Sequence, residues 1–261
     1  MIAVVDYQKG NLKSVERGLI TAGGEAFITA DASEIAKADA IVLPGVGAFA
    51  DAAATMCELG QMEAIRDRVR AGVPFLGICL GEHLMFEHGV EGAPEGNPAC
   101  GLGLLPGTVV AMPRCDAQGK AFKVPHVGWN TIEIPACDGS GKAAAVPPCG
   151  GVGGNAVLKQ SSLRCGTARG AFPDSTPQPG GELAFSCPLF DGIAPGEYFY
   201  FTHSYIAPTG SHTIAETTHS VRFTSAVQYG DRAFGVQFHP EKSSDAGARV
   251  LANFVAIAAR G

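Results

Sequence analysis

The stretch FLGICLGEH, residues 75–83, constrains the fold most, because one cysteine stands between two glycines where an apolar run ends. The pattern predicts a buried strand up to Ile78 and a helix from about Gly81, so the chain must turn sharply at Cys79. Gly77 and Gly81 remove side chains that would collide in such a turn. This is the geometry of a nucleophile elbow, which presents the sulfur at a helix N-terminus that favours a thiolate. Taken alone, G-x-C-x-G is a weak signal that fits an inert buried cysteine at a strand-helix junction better than a nucleophile.

The surrounding sequence predicts an α/β fold. Short β-branched runs alternate with helical patterns through the first hundred residues, which is typical of a mostly parallel central sheet flanked by helices. After Gly101 the pattern predicts an additional antiparallel strand region, and a last helix is predicted over Asp245–Ala259. We therefore predict one domain over residues 1–261, of the flavodoxin-like kind.

A second motif, GVQFHPEKS at residues 235–243, places His239 and Glu241 two positions apart after an apolar strand. Residues at i and i+2 share one face of an extended segment, and Pro240 is expected to keep the segment extended. Glu241 can then accept the Nδ1 proton of His239 while Nε2 faces a thiol, as in catalytic triads. A lone histidine is more often structural, but together with the elbow it predicts a catalytic unit of Cys79, His239 and Glu241.

A nucleophile of this kind also needs backbone amides that stabilise the oxyanion, and the loop LPGVGAF, residues 43–49, can supply them. Its glycines follow a predicted strand and can present backbone amides, while the amide after the cysteine provides a second donor. A G-x-G alone also fits a simple turn into a helix. Its position after the neighbouring strand is what favours an oxyanion hole.

Composition excludes several classes of function. A formal net charge of −6 with 17% charged residues leaves no basic face for nucleic acid. The apolar runs are too short to cross a bilayer, and no basic segment precedes IAVVD at the start, so we expect no membrane association and a cytoplasmic protein. The eight cysteines form no CxxC pair or regular Cys/His spacing, so we expect reduced thiols and no metal site.

Residues 136–187 differ from the rest, being rich in glycine and proline and poor in large apolar side chains. Such a segment buries too little surface to offset its ordering entropy, so we predict a flexible insertion whose cysteines, Cys187 included, label readily. It is either a regulatory or partner-specific loop, or else a tolerated surface insertion or an error in the gene model.

Six motifs together resemble the class I, triad-type glutamine amidotransferases, and within them the glutaminase subunits of imidazole glycerol phosphate synthases. In chain order they are DYQKGNLKSV, LPGVGAF, GICLG, PHVGWN, YFYFTHSY and GVQFHPEKS. The resemblance covers nearly the whole chain except residues 136–187. The elbow and the HPE end are shared by all triad amidotransferases, whereas HVGWN and the HSY run are similar to the histidine-pathway members.

The resemblance implies hydrolysis of glutamine through a γ-glutamyl thioester at Cys79, with His239 as general base and then acid, oriented by Glu241. It implies no cofactor and no metal. The ammonia is implied to pass to a (β/α)8-barrel cyclase subunit in a heterodimer, which makes imidazole glycerol phosphate and an aminoimidazole carboxamide ribotide. The remaining residues carried over by motif fall into three sets: oxyanion positions Gly45, Val46 and Leu80; glutamine-binding positions Gly47, His83, Glu91, Ser204 and Tyr205; and partner-facing positions Trp129, Asn130, Tyr200 and Lys242.

The chain departs from the family pattern after the elbow, where the usual GMQ is Gly81-Glu82-His83. An imidazole lacks the paired amide donor and acceptor of glutamine, so His83 either weakens one substrate contact or is a neutral replacement. Two alternative functions follow from the sequence. One is the glutaminase subunit of another amidotransferase, and the other is a degenerate, non-catalytic regulatory partner. HVGWN and HSY argue against the first, and the complete triad argues against the second.

Overall fold

A computed structural model describes residues 1–135 and 184–260 of the chain. The strands of these residues are β1 (Ile2–Val5), β2 (Ala26–Thr29), β3 (Ala40–Gly45), β4 (Phe75–Cys79), β5 (Phe86–Gly89), β6 (Ala99–Cys100), β7 (Leu105–Ala111), β8 (His126–Thr131), β9 (Tyr198–His203), β10 (Tyr205–Ile206), β11 (Thr213–Thr218), β12 (Arg222–Tyr229) and β13 (Ala233–Val236). The helices are α1 (Leu12–Thr21), α2 (Ala32–Ile35), α3 (Phe49–Glu58), α4 (Gln61–Arg70), α5 (Leu80–His83) and α6 (Ser244–Ala258), with 3-10 turns at Pro188–Phe190 and Pro240–Lys242.

The central sheet has seven strands in the order β11-β12-β13-β4-β3-β1-β2. Strands β2, β1, β3, β4 and β13 run parallel, whereas β12 pairs antiparallel with both of its neighbours. A four-stranded sheet, β10-β7-β5-β6, and the antiparallel pair β8-β9 complete the fold. The predicted α/β class, with a mostly parallel central sheet and added antiparallel strands, is confirmed.

Two strand pairings differ from the prediction of an antiparallel strand region after Gly101. Strand β13 lies inside the central sheet and pairs parallel with β4, and β7 pairs parallel with β5. The turn after Tyr229 joins the antiparallel strands β12 and β13. The prediction failed for β13 because one strand can pair with a hairpin partner on one side and with a parallel strand on the other.

Apolar side chains on the two faces of the central sheet form two separate cores. In β1, Ile2 and Val4 pack on one side with the face of α6 that carries Val250 and Phe254. Ala3 and Val5 pack on the other side with α3 and α4. Alternate residues of a strand point to opposite faces, so a strand covered on both faces is apolar throughout, as IAVV is.

The parallel strands bring three separate chain segments together at one edge of the sheet. In register, Gly45 at the end of β3 lies beside Cys79 at the end of β4, and Val236 at the end of β13 lies beside Ile78. Ligands of open α/β sheets bind at the carboxyl ends of the strands. The loop after β3, the cysteine turn and the segment leading to His239 therefore meet at this edge.

Two expectations about cysteines were wrong. Cys115 is disulfide-bonded rather than reduced. Cys187 was expected to be accessible, but it is buried beside Phe190 in the core, and burial raises the pKa of its thiol to about 11. The remainder of the predicted insertion, residues 136–183, lies outside the described residues. None of the helices in residues 1–135 and 184–260 has the length and apolar character that spanning a membrane requires.

We expect Gly81→Ala to lower the free energy of unfolding by about 3 kcal/mol or more, because its Cβ would stand 1.8 Å from the carbonyl oxygen of Leu43. Gly96→Ala is the control. Gly96 has a φ of +74° and open space around a Cβ, so only the left-handed penalty of about 1 kcal/mol applies. Urea denaturation measures both variants. Equal losses would show that the close contact at the elbow does not limit stability.

Candidate active site

The predicted turn at Cys79 is confirmed. Cys79 has φ 54° and ψ −106°, which is rare for a residue with a side chain, and α5 starts at the next residue. A Cβ on Gly77 would lie 2.5 Å from the carbonyl oxygen of Gly81, and one on Gly81 would overlap Leu43. Both glycines are thus required by backbone packing around the elbow, and backbone strain of this kind is typical of functional sites.

His239 and Glu241 form a buried pair next to the elbow. The Nδ1 of His239 lies 3.0 Å from Oε1 of Glu241, and both side chains are almost fully buried. Asn11 donates to the same Oε1 at 3.5 Å. Because a carboxylate only accepts, Nδ1 carries the proton and Nε2 is the nitrogen that remains for another group. The pair has the orientation that the sequence predicted.

The backbone that holds this pair differs from the prediction. His239 is extended, and its amide donates to the carbonyl of Tyr200 at 2.9 Å. The chain does not stay extended after it, because residues Pro240–Lys242 form a 3-10 turn with proline at its start. This turn brings the Glu241 carboxylate back onto the imidazole, where an extended i, i+2 pair was expected.

His239 and Glu241 each shift the pKa of the other toward its charged form. Burial acts to lower the pKa of His239, but the neighbouring Cys79 and Glu241 outweigh it and raise that pKa to about 9. Burial acts to raise the pKa of Glu241, but His239 outweighs it, so the carboxyl stays below its usual value. Nε2 of His239 is buried, and no described residue bonds it at ordinary hydrogen-bond distance, but the Cys79 side chain is close enough to raise the pKa of the ring. The arrangement suits a thiolate beside an imidazolium.

The loop after β3 packs directly against the elbow. A Cβ on Gly45 would lie 2.5 Å from the Tyr7 hydroxyl and 2.8 Å from the Leu80 side chain, so this contact also requires glycine. Gly47 has a φ of +100°, and Val46 between the two glycines is exposed. Burial raises the pKa of Tyr7 well above its usual range, so its hydroxyl stays neutral beneath the loop.

A cavity of about 390 Å³ opens above these groups. It is lined by Val46, Gly47, Ala48, Cys79, Leu80, His83, Glu91, Pro125, Thr202, His203, Ser204 and Tyr205. All five predicted glutamine-binding residues are among them, together with two of the three predicted oxyanion residues. Gly45 is covered and does not line the cavity. A larger cavity, of about 580 Å³, lies beside Ile2, Gly24 and Pro74 and contains no predicted site residue.

His83 lines the cavity, but its ring is engaged on the protein side. Its Nε2 lies 2.7 Å from Oε1 of Gln237, and Nε2 of Gln237 donates to Sγ of Cys79 at 3.7 Å. Burial lowers the pKa of His83 to about 4, so the ring is neutral. Sequence reasoning missed Gln237, although it stands inside the quoted motif GVQFHPEKS. The available signal was its position two residues before His239, because residues at i and i+2 share one face of an extended segment.

Three of the four predicted partner-facing residues form one surface patch. The rings of Trp129 on β8 and Tyr200 on β9 pack edge to face with centroids 6.1 Å apart, and Nζ of Lys242 lies 5.9 Å from the centre of the Tyr200 ring. The Trp129 side chain is 51% exposed. We call Trp129, Tyr200 and Lys242 the aromatic patch. It borders the turn that carries Glu241.

The fourth residue, Asn130, points into the protein and begins a chain of hydrogen bonds. Its Nδ2 donates to Nε2 of His126 at 3.2 Å, and Nδ1 of His126 lies 3.0 Å from Nε2 of His203. Nδ1 of His203 in turn bonds the carbonyl of Tyr205 at 2.8 Å. Each group in this chain donates to the next one, from Asn130 on β8 to Tyr205 in the cavity. Burial lowers the pKa of His126 to about 4, so this chain is uncharged.

Residues 1–135 and 184–260 contain no group of three His, Cys, Asp or Glu side chains placed to hold a metal ion. The site therefore consists of a strained cysteine, a buried His-Glu pair, a glycine loop and a cavity. Such a set can attack a carbonyl carbon, stabilise the resulting oxyanion and transfer a proton.

Comparison with known proteins gives a consistent result. The family model for glutamine amidotransferase class-I matches residues 3–145 and 153–258. Among curated relatives, imidazole glycerol phosphate synthase subunit HisH of Moorella thermoacetica is 38% identical over 97% of this chain and 93% of its own length. The same subunit of Rhodopirellula baltica is 36% identical over 97% and 96%, and that of Syntrophotalea carbinolica is 34% identical over 97% and 98%.

Solved structures agree on the fold. A crystal structure of a glutamine amidotransferase superposes with a TM-score of 0.60 at 16% identity, over 99% of this chain and 100% of that one. A chain of PurLQS from Thermotoga maritima superposes with a TM-score of 0.58 at 15% identity, over 98% and 97%. At these identities the superpositions establish only the shared architecture.

Proposed function

The chain belongs to the class I glutamine amidotransferases and, within them, to the HisH subunits of imidazole glycerol phosphate synthase, and on this premise we propose that it hydrolyses glutamine for that synthase. The ammonia would serve a cyclase subunit in histidine biosynthesis. One observation carries the proposal for this chain itself: Cys79, which has a positive φ, lines a cavity and interacts with His239 of the buried His239–Glu241 pair.

The first half-reaction acylates the enzyme. The Cys79 thiolate attacks the side-chain carboxamide carbon of glutamine and forms a C–S bond, while the carbonyl electron pair moves to oxygen. The His239 imidazolium then gives its Nε2 proton to the nitrogen as the C–N bond breaks, and ammonia leaves. A His239 pKa of about 9 keeps this proton available at neutral pH. The product is a γ-glutamyl thioester.

The second half-reaction hydrolyses the thioester. His239, now neutral, takes a proton from water as the water oxygen attacks the thioester carbon. The C–S bond breaks, glutamate leaves, and the thiolate and imidazolium are restored. Glu241 holds Nδ1–H throughout, so the ring keeps its orientation and its positive charge is stabilised. We assign Glu241 to orientation and charge stabilisation.

Backbone groups support the negative oxygen of both tetrahedral intermediates. We assign this role to the amide of Leu80, which follows the nucleophile, and to the Gly45-Val46 peptide of the loop after β3. Val46 and Leu80 line the cavity, and Gly45 packs on Leu80. The Tyr7 hydroxyl lies against this loop and supports its position.

The rest of the cavity suits the amino-acid end of glutamine. Glu91 provides a carboxylate for the α-ammonium group, and burial holds the pKa of Glu91 above its usual value, so a bound cation would favour ionisation. Gly47 and the Ser204-Tyr205 segment offer backbone groups for the α-carboxylate. His83 completes this wall of the cavity.

The cyclase subunit is proposed to dock on the aromatic patch. Exposed tryptophan and tyrosine beside a cation are typical of protein interfaces. The patch borders the turn that carries Glu241, so ammonia would be released near the bound partner. Asn130 is proposed to contribute to this docking surface from the inner side of the β8–β9 pair.

Cys79→Ala is expected to lower glutamine-dependent synthesis by the complex at least about 10⁴-fold, because no thioester can form. Synthesis from added ammonium should stay near the parent rate, since the cyclase is unchanged. Cys100→Ala, which removes an exposed free thiol, is the control and should retain both activities. Collapse of the ammonium-dependent rate in Cys79→Ala would assign Cys79 a structural role.

Trp129→Ala is expected to raise the dissociation constant of the complex with the cyclase subunit about 30-fold or more, as a buried aromatic anchor would. Ile20→Ala is the matched control, because Ile20 is equally exposed but lies near the end of α1, away from the carboxyl edge of the sheet. Calorimetric titration measures both. Similar affinity for the two variants would place the interface elsewhere.

A further inference from the structure

Three buried polar side chains next to the nucleophile take no part in the proton transfers described above. They are Glu82, His83 and Gln237, whose exposed fractions are 0%, 3% and 0%. Oε2 of Glu82 lies 3.6 Å from Nε2 of His83, which lies 2.7 Å from Oε1 of Gln237. The carboxamide of Gln237 then reaches Sγ of Cys79 at 3.7 Å. This row of polar groups therefore ends at Sγ of Cys79, the proposed nucleophile.

The chemistry of these groups fixes the direction of their hydrogen bonds. A carboxamide offers donors on nitrogen and acceptors on oxygen. A thiolate only accepts, so the nitrogen of Gln237 faces Sγ and donates to it. Its oxygen must then accept from His83, which places the proton of the neutral imidazole on Nε2. The ring therefore fixes which end of the Gln237 carboxamide points at sulfur.

Glu82, at the far end of this row, adds little negative charge near the sulfur. Burial raises the pKa of Glu82 well above its usual value, which favours the uncharged carboxyl, and neither of its oxygens has a hydrogen-bond partner among the described residues. It packs closely against Gly235, where a Cβ would lie 2.6 Å from its Cγ. An ionised carboxylate here would oppose a thiolate, whereas a neutral one leaves the Gln237 donor as the main polar influence from this side.

We propose that Gln237 is a positioning residue for Cys79, its carboxamide anchored by His83 and donating to the sulfur so as to stabilise the thiolate before attack and when the thioester breaks. The inference rests on the proposed function, because it takes Cys79 as the nucleophile. It also gives His83 a role other than direct contact with glutamine. Removal of the donor should then change the reactivity of the sulfur itself.

The test measures how the reactivity of the Cys79 thiol depends on pH. The full chain is alkylated with iodoacetamide across a pH series, and peptide mass spectrometry follows each cysteine separately. Gln237→Leu removes the donor and should move the midpoint of Cys79 alkylation upward by about one pH unit, with a rate at neutral pH about tenfold lower. The exposed thiols of Cys57 and Cys100 are internal standards whose rates should not change. An unchanged Cys79 midpoint in a folded Gln237→Leu would overturn the proposal.

Variants of His83 keep the proposal testable if Gln237→Leu does not fold. His83→Leu removes the anchor and should move the Cys79 midpoint in the same direction, whereas His83→Gln can again donate to Gln237 and should restore it. In the complex with the cyclase, His83→Leu should lower kcat for glutamine with little change in KM. A raised KM with an unchanged Cys79 midpoint would overturn the proposal and make His83 a substrate contact.

The outcomes also separate this inference from the proposed function. Alkylation reports the sulfur whether or not glutamine is hydrolysed, so a shifted midpoint supports the role of Gln237 independently of turnover. Failure of the proposed function would show itself as glutamine hydrolysis that survives Cys79→Ala.

Discussion

The active site depends on one close approach between backbones. Gly81 lies so near the carbonyl of Leu43 that no side chain fits between them, and this contact holds the first turn after β4 against the end of β3. Cys79 is thereby kept at a φ of 54°. Strands β3 and β13 flank β4, so the same sheet edge brings the glycine loop to one side of the sulfur and His239 to the other. The packed cores on both faces of the sheet stabilise this strained turn.

Burial acts to lower the pKa of each buried histidine, and the neighbouring groups decide whether it succeeds. His239 keeps its proton because the charges of Cys79 and Glu241 outweigh its loss of solvation. His83, His126 and His203 have no such partners, so burial lowers the pKa of each and they are neutral hydrogen-bonding groups. The charged imidazole of His239 is the one proposed to transfer protons, whereas the neutral imidazoles bond Gln237 and connect Asn130 on β8 with Tyr205 in the cavity.

The sequence predicted the elements that follow from local pattern. The last helix and the turn at Cys79 needed only apolar spacing and glycine positions. Helix α3 was not assigned, although Phe49, Ala52 and Met56 have helical spacing and alanine favours helix. The parallel pairing of β13, the 3-10 turn at Glu241 and the Gln237 contact depend on neighbours distant in sequence. Burial of Cys187 likewise depends on Phe190 and α6, which local composition cannot show.

The central claim is that glutamine is hydrolysed through a covalent bond to Cys79. The complex with the cyclase subunit can be quenched with acid during turnover of isotopically labelled glutamine and digested for peptide mass spectrometry. The account predicts one γ-glutamyl group on the peptide that contains Cys79, and none on those containing Cys57 or Cys100. Continued turnover with no label on Cys79, or with label on another residue, would contradict it.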